Sequence, residues 1–115
     1  MSVTIYHNPR CSTSRRTLAL LQDKGVAPKI VEYLKTPLDE AALRALLKKL
    51  KLGARDIMRS KEAVYKELGL GDEGKSEDEL IAAIAAHPVL LERPIVVNGA
   101  RAALGRPPEN VLALL

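Results

Sequence analysis

"PIVVNGARAAL", residues 94–104, places Asn98-Gly99 between two short apolar runs, the strongest short-range signal for a β-hairpin. An antiparallel pair alone fits many folds. The other end of the chain narrows the choice. "VTIY", residues 3–6, is β-branched and aromatic and reads as a buried strand, and "HNP" breaks it. A helix is expected to begin near Cys11 or Ser12 and run to Lys24, with Leu18 and Leu21 inward and Gly25 just past its end. "KIVEY", residues 29–33, reads as a second strand. Two strands joined by one helix form a right-handed crossover, so they should be parallel.

The segment between these two ends is helical in pattern. Thr36 can cap a helix with Pro37 at its first position, and Leu43, Leu46, Leu47 and Leu50 recur on one face. A short helix is expected around "ARDIMR" (54–59), then another over "KEAVYKELG" (61–69), closed by Gly69. "GDEGK" (71–75) is a loop. Ser76 with Glu79 spells a capping box ahead of the stripe Leu80, Ile81 and Ile84, which ends at His87-Pro88. "RPPENVLALL" (106–115) closes the chain with a brief helix after the prolines. The class is therefore α/β. The expected architecture is a thioredoxin-like mixed four-stranded sheet, β-α-β … β-β-α, with a helical insertion of about sixty residues. The chain should form one domain, 1–115, with the insertion at about 36–91.

Of the 115 residues, 47% are apolar and 28% charged, which fits a globular domain rather than a disordered one. With no Phe or Trp, and Tyr6, Tyr33 and Tyr65 as the aromatic residues, the core must be aliphatic. No apolar run approaches the ~20 residues that span a bilayer, and nothing resembles a signal peptide, so no membrane partner is expected. A net charge of +4 without stacking aromatics gives little basis for nucleic-acid binding; "KKLK" (48–51) reads as a solvated helix face. One cysteine excludes an internal disulfide, and a reducing, cytoplasmic setting is expected.

That cysteine, Cys11, falls where the first strand gives way to a helix, the place where α/β sheets bind their ligands. An ordinary thiol with pKa about 8.5 is only about 3% ionised at neutral pH. A helix start offers unpaired N–H groups and roughly half a positive charge, to which Arg10 and Arg15 can add, while Ser12, Thr13 and Ser14 can donate to the sulfur. A reactive thiolate is the sharper reading. Free cysteine is often simply buried, but polar and charged residues on both sides speak against that here. Ser14 stands where a Cys-x-x-Cys motif needs its second thiol, so an outside thiol must regenerate Cys11. A cysteine-phosphatase loop needs an arginine at position 17, which is Thr17. His7 and Cys11 lack the partner pair of a metal site, and no metal or bound cofactor is expected.

"YHNPRCSTSR" (6–15), "RDIMRSKEAVYKELGL" (55–70), "HPVLLERPIVV" (87–97) and "GRPPENVL" (105–112) together resemble the glutaredoxin- or glutathione-coupled arsenate reductases, shorter subgroup, over essentially the whole chain. The resemblance implies arsenate reduction, with glutathione as co-substrate and glutaredoxin as partner. It implies that Cys11 is the nucleophile, that His7 and Ser14 tune its thiolate, and that Arg59, Arg93 and Arg106 bind the oxyanion. It implies that Pro94 sits cis beside the cysteine. Guanidinium groups suit these roles, since their planar paired donors match a tetrahedral oxyanion better than lysine does. Two other readings stay open. A Spx-like regulator would bind RNA polymerase, though Ser14 breaks the Cys-x-x-Cys such proteins usually carry. A glutathione-dependent thiol oxidoreductase would use Cys11 without needing all three arginines.

Overall fold

The computed structural model describes residues 2–115. The chain divides into two compact units, one made of the segments up to Thr36 and Arg93–Leu115, the other of Pro37–Glu92. The first unit contains β1 (Val3–Tyr6), α1 (Ser12–Asp23), β2 (Lys29–Val31), β3 (Ile95–Asn98), β4 (Arg101–Leu104) and a terminal 3₁₀ helix, Pro108–Leu114. Its sheet runs in the order β2-β1-β3-β4. β1 and β2 pair in parallel, with Ile5 opposite Ile30, while β1–β3 and β3–β4 are antiparallel. This is the mixed four-stranded, thioredoxin-like sheet that the two ends of the sequence call for.

The hairpin forms, one residue later than its signal. Asn98 pairs with Arg101, so Gly99 and Ala100 are the central residues rather than Asn98 and Gly99. Gly99 has φ +62° and Ala100 stays on the negative side, the pattern of a type II′ turn, which wants glycine first. β2 is shorter than expected. The chain turns at Glu32, whose carbonyl accepts from the N–H groups of Lys35 and Thr36. Val3, Ile5, Leu21, Val96, Val111 and Leu114 form the buried cluster of this unit, with Leu18 and Ala103 packed against it. Each such side chain contributes about 1.5–3 kcal/mol when fully buried, enough for aliphatic residues alone to fix α1 on the sheet.

The second unit holds α2 (Glu40–Leu50), α3 (Ala63–Glu67), α4 (Glu77–Ala86) and 3₁₀ turns at Ala54–Ile57 and Pro88–Leu90. Thr36 is not the cap of α2. Asp39 is, its Oδ1 accepting from Ala42 N–H at 2.8 Å, while the Thr36 hydroxyl turns back to the Glu32 carbonyl. An aspartate followed by Glu40 suits a helix start better than a threonine three residues upstream, because both carboxylates meet the positive end. α2 packs against α4 through Leu43, Leu46 and Leu47, which are buried; Leu50 is only partly so. The Ser76–Glu79 capping box closes in both directions at 3.1 Å. No helix among the described residues is long and apolar enough to cross a membrane.

Candidate active site

β1 ends in a bend that delivers the chain into α1. Asn8 shapes it: its carbonyl accepts from Cys11 N–H, its Oδ1 from Arg10 N–H, both at 3.0 Å. Cys11 then sits at the N-cap of α1 with extended backbone. Burial pushes the Cys11 thiol up, but four influences outweigh it and leave it below the ordinary thiol value. They are the Ser14 N–H, a hydrogen bond from Arg93, the Arg93 charge and the Thr13 N–H. Arg106 Nη2 also lies 3.6 Å from the sulfur.

The source of positive charge therefore differs from the sequence expectation. Arg10 and Arg15 do not figure in the thiol's shift; Arg93, far along the chain, does, and Arg106 lies against the sulfur. Arg15 instead donates to the Pro9 carbonyl at 2.9 Å. The hydroxyls differ as well. The sulfur takes its help from the backbone N–H of Ser14 and Thr13. The Ser14 hydroxyl, fully buried, accepts from Asn8 N–H at 3.1 Å and meets His7 Nδ1 at 2.6 Å. Burial holds His7 below its ordinary value, Glu32 opposing and Arg15 assisting, which favours the neutral ring. A neutral ring protonated at Nε2 presents Nδ1 as the acceptor for the Ser14 proton. The His7 ring and the Ser14 hydroxyl thus hold the loop around the sulfur, while the Ser14 N–H acts on the sulfur itself.

The two arginines arrive on a rigid frame. The Arg93–Pro94 and Arg106–Pro107 peptide bonds are both cis. Arg106 Nε donates to the Arg93 carbonyl at 2.8 Å, and Asn110 Nδ2 to the Arg106 carbonyl at 3.0 Å. The sequence reading missed what lets these segments close up. Gly105 donates its N–H to the Pro94 carbonyl at 2.9 Å, and a Cβ there would stand 2.7 Å from Pro94 Cγ and 2.8 Å from Thr17 Oγ1. No side chain fits at that approach; the glycine of "GRPPE" was its only sequence signal.

Cys11, His7, Ser14, Arg93, Pro94 and Arg106 all belong to the first unit. Arg59 belongs to the second, where its Nη1 pairs with Glu92 at 3.0 Å and its Nε faces Glu62 at 3.7 Å. Among the described residues no three His, Cys, Asp or Glu side chains gather as a metal ion would require.

A depressed thiol among guanidinium groups at a helix start has the chemistry to attack an oxyanion. The comparison with known families points the same way: residues 6–114 match the ArsC family. The chain belongs to the ArsC family. It is 56% identical over 114 residues to YfgD, an uncharacterized protein of Escherichia coli (strain K12), covering 98% of this chain and 96% of that one. It is 51% identical to an arsenate reductase of Neisseria meningitidis (serogroup A, strain Z2491), covering 98% and 97%. A solved arsenate reductase from Vibrio cholerae superposes with a TM-score of 0.97 at 54% identity, covering 100% of this chain and 98% of the other. The ArsC fold is thus the setting in which these side chains converge.

Proposed function

We propose that this protein reduces arsenate to arsenite through Cys11, with glutathione and glutaredoxin as the outside thiols. The observation that carries the reading is the sulfur itself, held below the ordinary thiol value with Arg93 and Arg106 against it. The Cys11 thiolate attacks arsenic, and one As–O bond breaks, its oxygen leaving as water once protonated. Arg93 and Arg106 offset charge on the remaining oxygens. A glutathione thiolate then attacks the Cys11 sulfur. The S–As bond breaks with its electron pair on arsenic, giving As(III), and Cys11 is left as a mixed disulfide. Exchange with glutaredoxin restores the thiolate. Such thiols are kept reduced in the cytoplasm, where the reading places the reaction. Arg59 enters through the family resemblance alone.

The test is arsenate-dependent NADPH oxidation coupled through glutathione reductase and glutaredoxin. Turnover is expected from the native chain and none from Cys11→Ser; turnover of a glutathionylated substrate with no response to arsenate would instead favour a thiol oxidoreductase. Arg93→Ala gives a finer check, because Arg93 both ionises the thiol and meets the oxyanion. Loss of one charged hydrogen bond, about 1.5–3 kcal/mol, lowers arsenate kcat/KM roughly tenfold to a hundredfold. Raising the pH should restore alkylation of Cys11 by iodoacetamide but not arsenate use. Recovery of both would remove the oxyanion role.

A further inference from the structure

Arg15 lies beside the site, and the chemistry above gives it no task. Its N–H donates to the Cys11 carbonyl at 3.0 Å, so it stands one helical turn beyond the nucleophile on the same face. Side chains on a helix lean toward its start, which carries the guanidinium back to the Pro9 carbonyl, 2.9 Å from Nη1. One of its five N–H donors is engaged there, and the side chain is exposed.

Four other exposed or part-exposed arginines have settled partners. Arg44 pairs with Asp78 at 2.8 Å, Arg59 with Glu92, and Arg55 donates to the Leu70 and Asp72 carbonyls. Arg101 donates to the Ala113 carbonyl. Among the described ion pairs none involves Arg15. Its charge reaches His7 yet is absent from the influences on the sulfur. It is a held, uncompensated cation that flanks the thiol without touching it, with Arg10, also exposed, next to Cys11 in the chain.

We infer that Arg15 binds a carboxylate of the small thiol that regenerates Cys11. The inference rests on the reading that a glutathione-like thiol is the co-substrate. Such a molecule carries its carboxylates a few bonds from its sulfur. Arg93 and Arg106 lie against the sulfur and take the oxyanion, which leaves Arg15, one turn beyond Cys11 on α1, to receive the incoming thiol. The planar fork of Arg15 then steers and positions it.

The experiment leaves arsenate out. Cys11 attacks a disulfide directly: the S–S bond of oxidised glutathione breaks, one half joins the Cys11 sulfur and the other leaves as thiolate. The rate is compared between oxidised glutathione and the neutral bis(2-hydroxyethyl) disulfide, in the full chain and in Arg15→Ala. The ratio of the two rates cancels any change in the thiol's own reactivity or in the folded fraction. For an exposed ion pair, the ratio should fall about twofold to fivefold in Arg15→Ala at low salt, and the difference should vanish at high salt, where screening brings the native ratio down to that of the variant. Arg16→Ala, which removes the same charge from a position lined by Asp23 and Glu109, should leave it unchanged. An unchanged ratio in Arg15→Ala, or an equal fall in Arg16→Ala, overturns the inference. Failure of arsenate turnover in the coupled assay would strike the arsenate reading and leave this ratio standing.

Discussion

Helix α4 closes its first turn with its own side chains, whereas α1 leaves its first turn to a sulfur. At α4, Ser76 and Glu79 cap each other, Glu77, Asp78 and Glu79 line the first turn, and Glu77 also accepts from Ala54 N–H at 3.0 Å. At α1, Cys11 makes no capping hydrogen bond and no acidic residue stands in the first turn. The N–H groups of Thr13 and Ser14 favour the sulfur anion instead. One helix start is neutralised for stability. The other leaves its positive end to the sulfur anion.

The largest break in this comparison is Cys11→Ser. Serine is among the best N-caps, so the variant gives α1 the kind of start α4 has. Turnover disappears, while stability to urea at mildly acidic pH rises by about 0.5–1 kcal/mol. The pH dependence has a definite sign. A thiol held below its unfolded value contributes stability that is complete above that unfolded value and is lost as the pH falls through the folded one. The serine advantage should therefore shrink toward alkaline pH, where the native thiolate gains from the helix end. A constant advantage would mean that the helix start does nothing for the anion.

Ser14→Ala separates the two faces of one residue. It leaves Asn8 N–H and His7 Nδ1 facing a methyl group in a buried place, which costs about 1–3 kcal/mol in urea unfolding. The backbone N–H of Ser14, which helps the sulfur, survives the change. The alkylation midpoint of Cys11 should accordingly move less than in Arg93→Ala. A shift as large as that of Arg93→Ala would show that the hydroxyl acts on the sulfur after all.

The parts legible in the sequence are those whose causes are local. The Ser76–Glu79 box, the α1 stop at Gly25 and the hairpin all follow from a few adjacent residues, and the hairpin slipped by one because glycine prefers the first turn position. Sequence neighbours misled where space decided. Arg10 and Arg15 flank Cys11 in the chain, yet the side chains found against its sulfur are Arg93 and Arg106, the second 95 residues away. No local pattern encodes that meeting. It depends on β1 pairing with β3 and on Gly105 admitting Pro94 and Thr17 at a distance no side chain tolerates. The family motifs named Arg93 and Arg106 without giving the reason they converge.

The smallest expected effect is at α4. Ser76→Ala removes the acceptor for Glu79 N–H and the hydroxyl's share in holding the Glu79 carboxyl down, while the backbone N–H at position 76 still donates to that carboxylate. Loss of such a cap costs about 1 kcal/mol, read as a lower urea midpoint with unchanged slope. Because α4 carries none of the groups that act on Cys11, the alkylation midpoint and arsenate turnover of the folded fraction should stay at native values. Glu79→Gln, which keeps a reciprocal acceptor, should retain most of the stability. If Ser76→Ala depressed turnover beyond the loss of folded chain, the capped helix would be supporting the reaction too, and the division of labour between the two helix starts would fail.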